Sequence, residues 1–252
     1  MLGYGARTGE DHQREGSRRL TGLKTTGIGG RALKRVVLEL LQADDFSKSL
    51  QELKHLPGKQ VINALFAFLL HADESVRWRA VAAMGAVVDG MAQKDMESAR
   101  VIMRRLMWSL NDESGGIGWG APESMAEIIA SHTGIAEEFV RVYISYFDLH
   151  GNFLEYEVLQ RGLLWGLVRL AQSNPYLVQG IGQHVVPYLE SPDTTVRGLA
   201  VWAAGLLRLQ DCAPGIRALL DDASELRVYF EDRFTTYSVR ELAARSLKMI
   251  NR

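Results

Sequence analysis

Apolar residues recur along most of this chain with the three-to-four-residue spacing of one helix face, and the pattern itself repeats. Five segments align: DESVRWRAVAAMGAVV (73–88), DESGGIGWGAPESMAEII (112–129), YEVLQRGLLWGLVRL (156–170), DTTVRGLAVWAAGLLRL (193–209) and YSVRELAARSLKMI (237–250). With Val76, Ile117, Glu157, Val196 and Val239 as equivalent anchors, the spacings are 41, 40, 39 and 43 residues. Such a period, in helical units that cannot bury an apolar face alone, predicts an all-α fold: a right-handed α-α superhelix of stacked helix pairs.

The first helix of each pair lies upstream of its anchor, at 59–70, 94–110, 135–147, 176–189 and 214–222. RALKRVVLELLQ and DFSKSLQELKHL add an N-terminal cap, so five pairs plus that cap make one repeat domain over 31–252. Small residues four and nine places after the anchor (Ala80 and Gly85, Ala121 and Ala126, Ala200 and Gly205) allow neighbouring helices to approach closely. Asp73 and Asp193 stand where a carboxylate caps a helix N-terminus, and Ser238 with Glu241 has the spacing of a capping box. Arg77, Arg197 and Arg240 beside these positions are expected to bond between units, not to do chemistry.

Two stretches break the helical pattern. In residues 226–239, Val228 and Phe230 alternate with polar neighbours and Glu231-Asp232 can turn the chain, which predicts a β-hairpin; its expected place is over the exposed end of the solenoid. In residues 111–121 four glycines replace helix formers, and each costs a helix about 1 kcal/mol relative to alanine. The second helix of that unit should therefore begin near Pro122, with Glu123 facing its N-terminal dipole, after a loop whose Gly116 and Gly118 let a partner's backbone come near.

Candidate binding residues follow from this layout. Trp78, Trp119 and Trp202 sit two and six places after their anchors, on a similar face of the second helices, the face that lines the groove of such arrays; Trp108 and Trp165 are assigned to the core. Asn152, Glu155 and Tyr156 belong to the loop of the next unit and are expected beside Trp119 and Glu123, with Arg79 as a further polar contact.

Composition adds mostly exclusions. The chain is 47% hydrophobic and 23% charged with a formal net charge of -1, so nothing global draws it to nucleic acid or an anionic membrane. Cys212 is the single cysteine, which rules out a disulfide framework, and the six histidines lack the spacing of a metal pair, so no cofactor is expected. Residues 1–30 hold eight glycines and few apolar side chains, the composition of a disordered tail. The absence of a leader-like segment and of any apolar run that could span a bilayer leads to the expectation of a cytoplasmic protein without membrane contact.

DESVRWRAVAAMG and DTTVRGLAVWAAG resemble HEAT-like repeats of the phycobilisome-lyase type. With RRLMWSLNDESGGIGWGAPESM, GNFLEYEVLQRGLLWG and RVYFEDRFTTYSVRELA they look like a family of single-domain HEAT-like proteins from anaerobic sulfate- and iron-reducing bacteria. The resemblance implies an α-solenoid and brings no catalytic residues. Three functions compete: a non-catalytic scaffold for a protein or peptide partner, a tetrapyrrole- or other ligand-handling lyase or chaperone, and a HEAT-like DNA-binding or glycosylase protein. The absence of a catalytic constellation and the mixed charge of the second helices favour the scaffold.

Overall fold

The computed structural model describes residues 29–111 and 118–252, which form twelve α-helices, three short 3-10 turns and one two-stranded antiparallel sheet. Residues 1–28 of the predicted tail, and Gly116 of the predicted loop, lie outside the described residues. The cap helices are α1 (Gly30–Gln42) and α2 (Phe46–His55). Three regular pairs follow: α3 (Gly58–Phe68) with α4 (Glu74–Ala92), α5 (Met96–Leu110) with α6 (Ala121–Ser131), and α7 (Thr133–Ser145) with α8 (Glu157–Ser173).

The last two pairs are degenerate. The predicted helix at 176–189 is broken into a 3-10 turn at Pro175–Val178, one α-turn, α9 (Gly182–Val185), and a second 3-10 turn at Val186–Glu190. Gly180 sits at φ 83, where a helix cannot continue, and Pro187 removes a backbone donor. The partner of the fifth unit shrinks to α11 (Ala213–Ala218). The second helices α10 (Thr194–Leu206) and α12 (Val239–Ile250) are regular.

Local chemistry sets the helix starts. Asp73 accepts from the Ser75 amide at 2.8 Å and Asp193 from the Val196 amide at 3.0 Å, and Ser238 and Glu241 form the reciprocal capping box. Each such cap contributes about 1 kcal/mol. The second helices stack in order, α4 on α6, α6 on α8, α8 on α10 and α10 on α12, around one continuous apolar core. Small residues make this stacking possible: a Cβ on Gly205 would lie 2.7 Å from the Ser246 Cα, and one on Gly85 would lie 3.0 Å from the Glu127 carbonyl oxygen. In the gap beside Gly166, the Tyr143 hydroxyl donates to the Leu163 carbonyl at 2.9 Å.

Trp108 is a correction to the sequence reading. The buried residues of α5 are Ala99, Ile102, Met103 and Leu106, and Trp108 projects from the opposite face, 77% exposed. Trp165 is in the core as expected.

The hairpin exists, but its place is not the predicted one. Strands β1 (Glu225–Phe230) and β2 (Arg233–Ser238) pair from Glu225↔Ser238 to Phe230↔Arg233, with Glu231 and Asp232 at φ 51 and 58 in the two-residue turn. Instead of capping the end of the array, it runs back across the second helices. Phe230 meets Trp202 of α10 and stacks on Trp165 of α8, and Tyr229 stacks on Trp78 of α4, with centroid distances of 5.2, 5.0 and 5.4 Å. The Trp165 indole nitrogen donates to the Tyr229 carbonyl at 2.7 Å. At the tip, Arg79 donates to both oxygens of Asp232, at 2.7 and 2.9 Å, and to the carbonyls of Leu41 and Ala43, which ties hairpin, α4 and cap together.

Candidate functional site

The hairpin covers the aromatic face that the sequence assigns to ligand binding, and what remains of the groove is divided into two cavities. One, of about 620 Å³, lies between the hairpin tip and α2, with Phe46, Leu50, Glu127 and Arg169 in its walls. Its charged groups are already paired: Arg169 donates to Glu127 at 2.9 Å, Arg79 to Asp232 and Arg233 to Glu231. The other, of about 220 Å³, lies where the N-terminal turns of α4, α6, α8 and α10 converge beneath β1.

This second cavity concentrates the unusual chemistry. From α4 it receives Glu74, Arg77 and Trp78; from the start of α6, Trp119 and Glu123; from α8, Arg161 and Trp165; and from β1, Arg227. Two of the three arginines are held by carboxylates: Arg161 by Asp193, with Nε to Oδ2 at 2.9 Å, and Arg227 by Glu74 at 2.7 Å. Arg77 donates to the His71 carbonyl at 3.4 Å.

Glu123 is the outlier. Helix α6 begins at Ala121 after Gly120 in the left-handed region (φ 74), with Pro122 in the first turn, so the sequence places the Glu123 side chain at the helix N-terminus. That side chain turns into the stack against α8: its carboxyl lies over Gly162, where an added Cβ would come within 2.5 Å of it. The Glu123 Oε2 is shielded from solvent and has no hydrogen-bond partner among the described residues. Burial pushes this carboxyl up to about 7, against the smaller opposing effects of its own backbone amide and of the Arg77 charge. Tyr143, which senses the Glu123 charge, is itself raised well above its ordinary value, chiefly by burial.

The predicted site residues therefore separate. Trp78, Trp119 and Glu123 share the cavity. Arg79 is consumed by the hairpin tip, and Trp202 lies under Phe230 and Tyr237. Gly118 packs against the Ser109 carbonyl and Leu110, a close approach that serves the fold. Asn152 is exposed and donates to the Ser145 hydroxyl at 2.9 Å, Glu155 lines a separate depression beside Leu149 and Tyr188, and Tyr156 stands 62% exposed. Sequence reasoning missed Glu74, Arg161 and Arg227 and set Arg77 aside as a bond between units; the alternation of strand β1, with Leu226 and Val228 buried, marks Arg227 as a side chain on the other face.

Trp119, Leu149 and Tyr156 are 44%, 62% and 62% exposed, all in loops that join the two helices of successive units and hence on one edge of the array. Leu70 occupies the corresponding loop of the unit before and is 66% exposed. Among the described residues no helix is long and apolar enough to cross a membrane, and no cluster of three or more side chains suited to a metal ion occurs.

No family model matches the chain. An uncharacterized protein from Archaeoglobus fulgidus is 36% identical over 124 residues, which are 49% of this chain and 57% of that protein, so the chain spans little more than half of that relative's length. Among solved structures the chain is similar to an engineered protein (16% identity, TM-score 0.49, 86% of this chain and 96% of the other). It is also similar to a designed armadillo repeat protein in complex with the peptide (KR)4 (18% identity, TM-score 0.48, 86% and 98% covered) and to a second armadillo design (18%, TM-score 0.45, 86% and 99%).

Proposed function

We propose that the protein is a non-catalytic scaffold that binds a protein or peptide partner along the loop edge of its solenoid, around Trp119, Leu149 and Tyr156. The observation that carries this reading is the contrast between two surfaces. The groove, where helical arrays usually hold an extended peptide, is crossed by the chain's own hairpin, which packs on its aromatic side chains. The edge keeps large apolar and aromatic side chains in solvent, repeated in three successive units, and such side chains supply the anchors of protein interfaces. A formal net charge of -1 supports a protein partner over nucleic acid.

The test is affinity capture from native extract with the wild-type chain, a Leu149→Ser/Tyr156→Ala edge variant and a Tyr176→Ala control, Tyr176 being exposed away from that edge. A partner retained by wild type and control but lost by the edge variant supports the proposal. Partners retained by all three overturn it. A second reading, that the chain handles a small ligand, is favoured by the Glu123 cavity alone.

A further inference from the structure

The cavity under β1 is not needed by an edge-docking scaffold, and its construction is costly. It draws three guanidinium groups, Arg77, Arg161 and Arg227, to the point where four helix N-termini meet, a place already favourable to negative charge. Glu74 and Asp193 neutralise Arg227 and Arg161. The remaining charge is that of Arg77, and the remaining acid is Glu123, whose Oε2 is buried without a partner among the described residues. With Glu123 protonated, the site holds one more guanidinium than carboxylates, which suits a monoanion. A dianion such as a phosphate monoester would be placed beside Glu74 as well as Glu123.

The walls define the rest of the ligand. Trp78, Trp165 and Trp119 line it, Trp165 buried and Trp119 44% exposed. Indole walls favour a flat ring that can stack or meet them edge-on. Gly162 leaves room for the Glu123 carboxyl, which lies over it, and Gly120 packs against Leu69.

We propose that this cavity binds a small aromatic carboxylate, its anionic end held by Arg77 and Arg161 and its ring seated against Trp119. Glu123 in its neutral form donates its O–H to the bound carboxylate, so ligand binding holds a proton on Glu123. The groups that face Glu123 are Arg77 from α4, Tyr143 from α7, Arg161 from α8 and Arg227 from β1 with its partner Glu74, and the proton that binding retains is the one on Glu123. Affinity therefore falls as pH rises through neutrality.

The experiment uses the purified full chain and no partner protein, so its outcome is separate from that of the edge. Benzoate, indole-3-acetate and the neutral amides of both are titrated at about pH 6 and about pH 8, with tryptophan fluorescence and calorimetry as readouts. At the lower pH at least one carboxylate should saturate the protein and bind about tenfold more tightly than its amide, and Arg77→Gln and the half-exposed Arg161→Gln should each lose about tenfold. Raising the pH should weaken binding in the wild type but leave Glu123→Gln unchanged. The inference is overturned by no saturable binding at millimolar carboxylate, by amides that bind as well as the acids, or by Arg161→Gln and Glu123→Gln behaving as wild type. Arg161→Gln keeps the test decisive if Arg77→Gln fails to fold, because Arg161 is 48% exposed and its partner Asp193 keeps the bond from the Val196 amide.

Discussion

Replacing Asp232 by alanine removes one end of the contact that holds the hairpin tip to α4. Two hydrogen bonds from Arg79 are lost, at 2.7 and 2.9 Å, and the Tyr229 hydroxyl loses its acceptor. Hydrogen bonds to charged groups contribute about 1.5–3 kcal/mol each when shielded from water. Here the Asp232 side chain is 35% exposed and that of Arg79 16% exposed, so solvent screens the pair; Arg79 also keeps its bonds to the Leu41 and Ala43 carbonyls. The discounted cost is about 1–2 kcal/mol, which corresponds to a roughly five- to thirtyfold rise in hairpin opening. Hydrogen exchange read by mass spectrometry on peptides covering 225–238 measures it, with α5 as an internal control that should not change. The sign of the pH dependence follows from the same carboxyl. Burial raises it, but the hydrogen bonds from Arg79 and Tyr229 together with the Arg79 charge outweigh that and leave it below the ordinary range. A depressed carboxyl stabilises the fold above its unfolded value, about 3.9, and that contribution is lost as pH falls through the folded one. Wild-type exchange should therefore approach that of Asp232→Ala below about pH 4. Exchange at 225–238 within twofold of wild type at neutral pH would refute the claim that Asp232 anchors the hairpin.

Three further outcomes are expected. Gly205→Ala should destabilise by about 1–3 kcal/mol because its Cβ would meet Ser246, whereas Gly90→Ala, with nothing within 4 Å, should stabilise by about 0.5–1 kcal/mol; thermal melts of the two should shift in opposite directions. Trp165→Phe keeps a ring against Phe230 but leaves the Tyr229 carbonyl without its donor, for a loss of about 1–3 kcal/mol in urea unfolding, less than the roughly 3–5 kcal/mol expected of Trp165→Ala. Glu123, with its carboxyl raised to about 7, favours the folded state while protonated and loses that contribution between its unfolded value, about 4.3, and about 7. Glu123→Gln should thus stabilise the fold at pH above 7 by on the order of 2 kcal/mol, read as a higher melting temperature, and the gain should shrink toward about pH 5.

What the sequence revealed is what short-range physics decides. The anchor spacing, the Asp73, Asp193 and Ser238 caps, the start of α6 beside Pro122 and the turn at Glu231-Asp232 each depend on residues a few positions apart. The path of the hairpin depends on Arg79 meeting Asp232 across 153 positions, a pairing that the curvature of the array sets and no local pattern encodes. Trp108 is different, because its misplacement was avoidable: the buried positions 99, 102, 103 and 106 define a helix face that excludes it. Glu123 read correctly as a first-turn carboxylate, but its insertion over Gly162 is a contact between two units. The candidate site was legible in Trp78, Trp119 and Glu123 and not in Arg227, which reaches the cavity only because the hairpin folds back.

The division of labour between a groove crossed by the hairpin and a free edge can be measured by site-specific photo-crosslinking in native extract. A photoreactive residue is placed at Tyr156 or Leu149 on the edge, or at Trp202 beneath the hairpin. The account predicts partner adducts from the two edge positions and, from Trp202, crosslinks only within the chain to the 225–238 segment. Partner adducts from Trp202 with none from the edge would contradict it, since the partner would then occupy the groove in place of the hairpin.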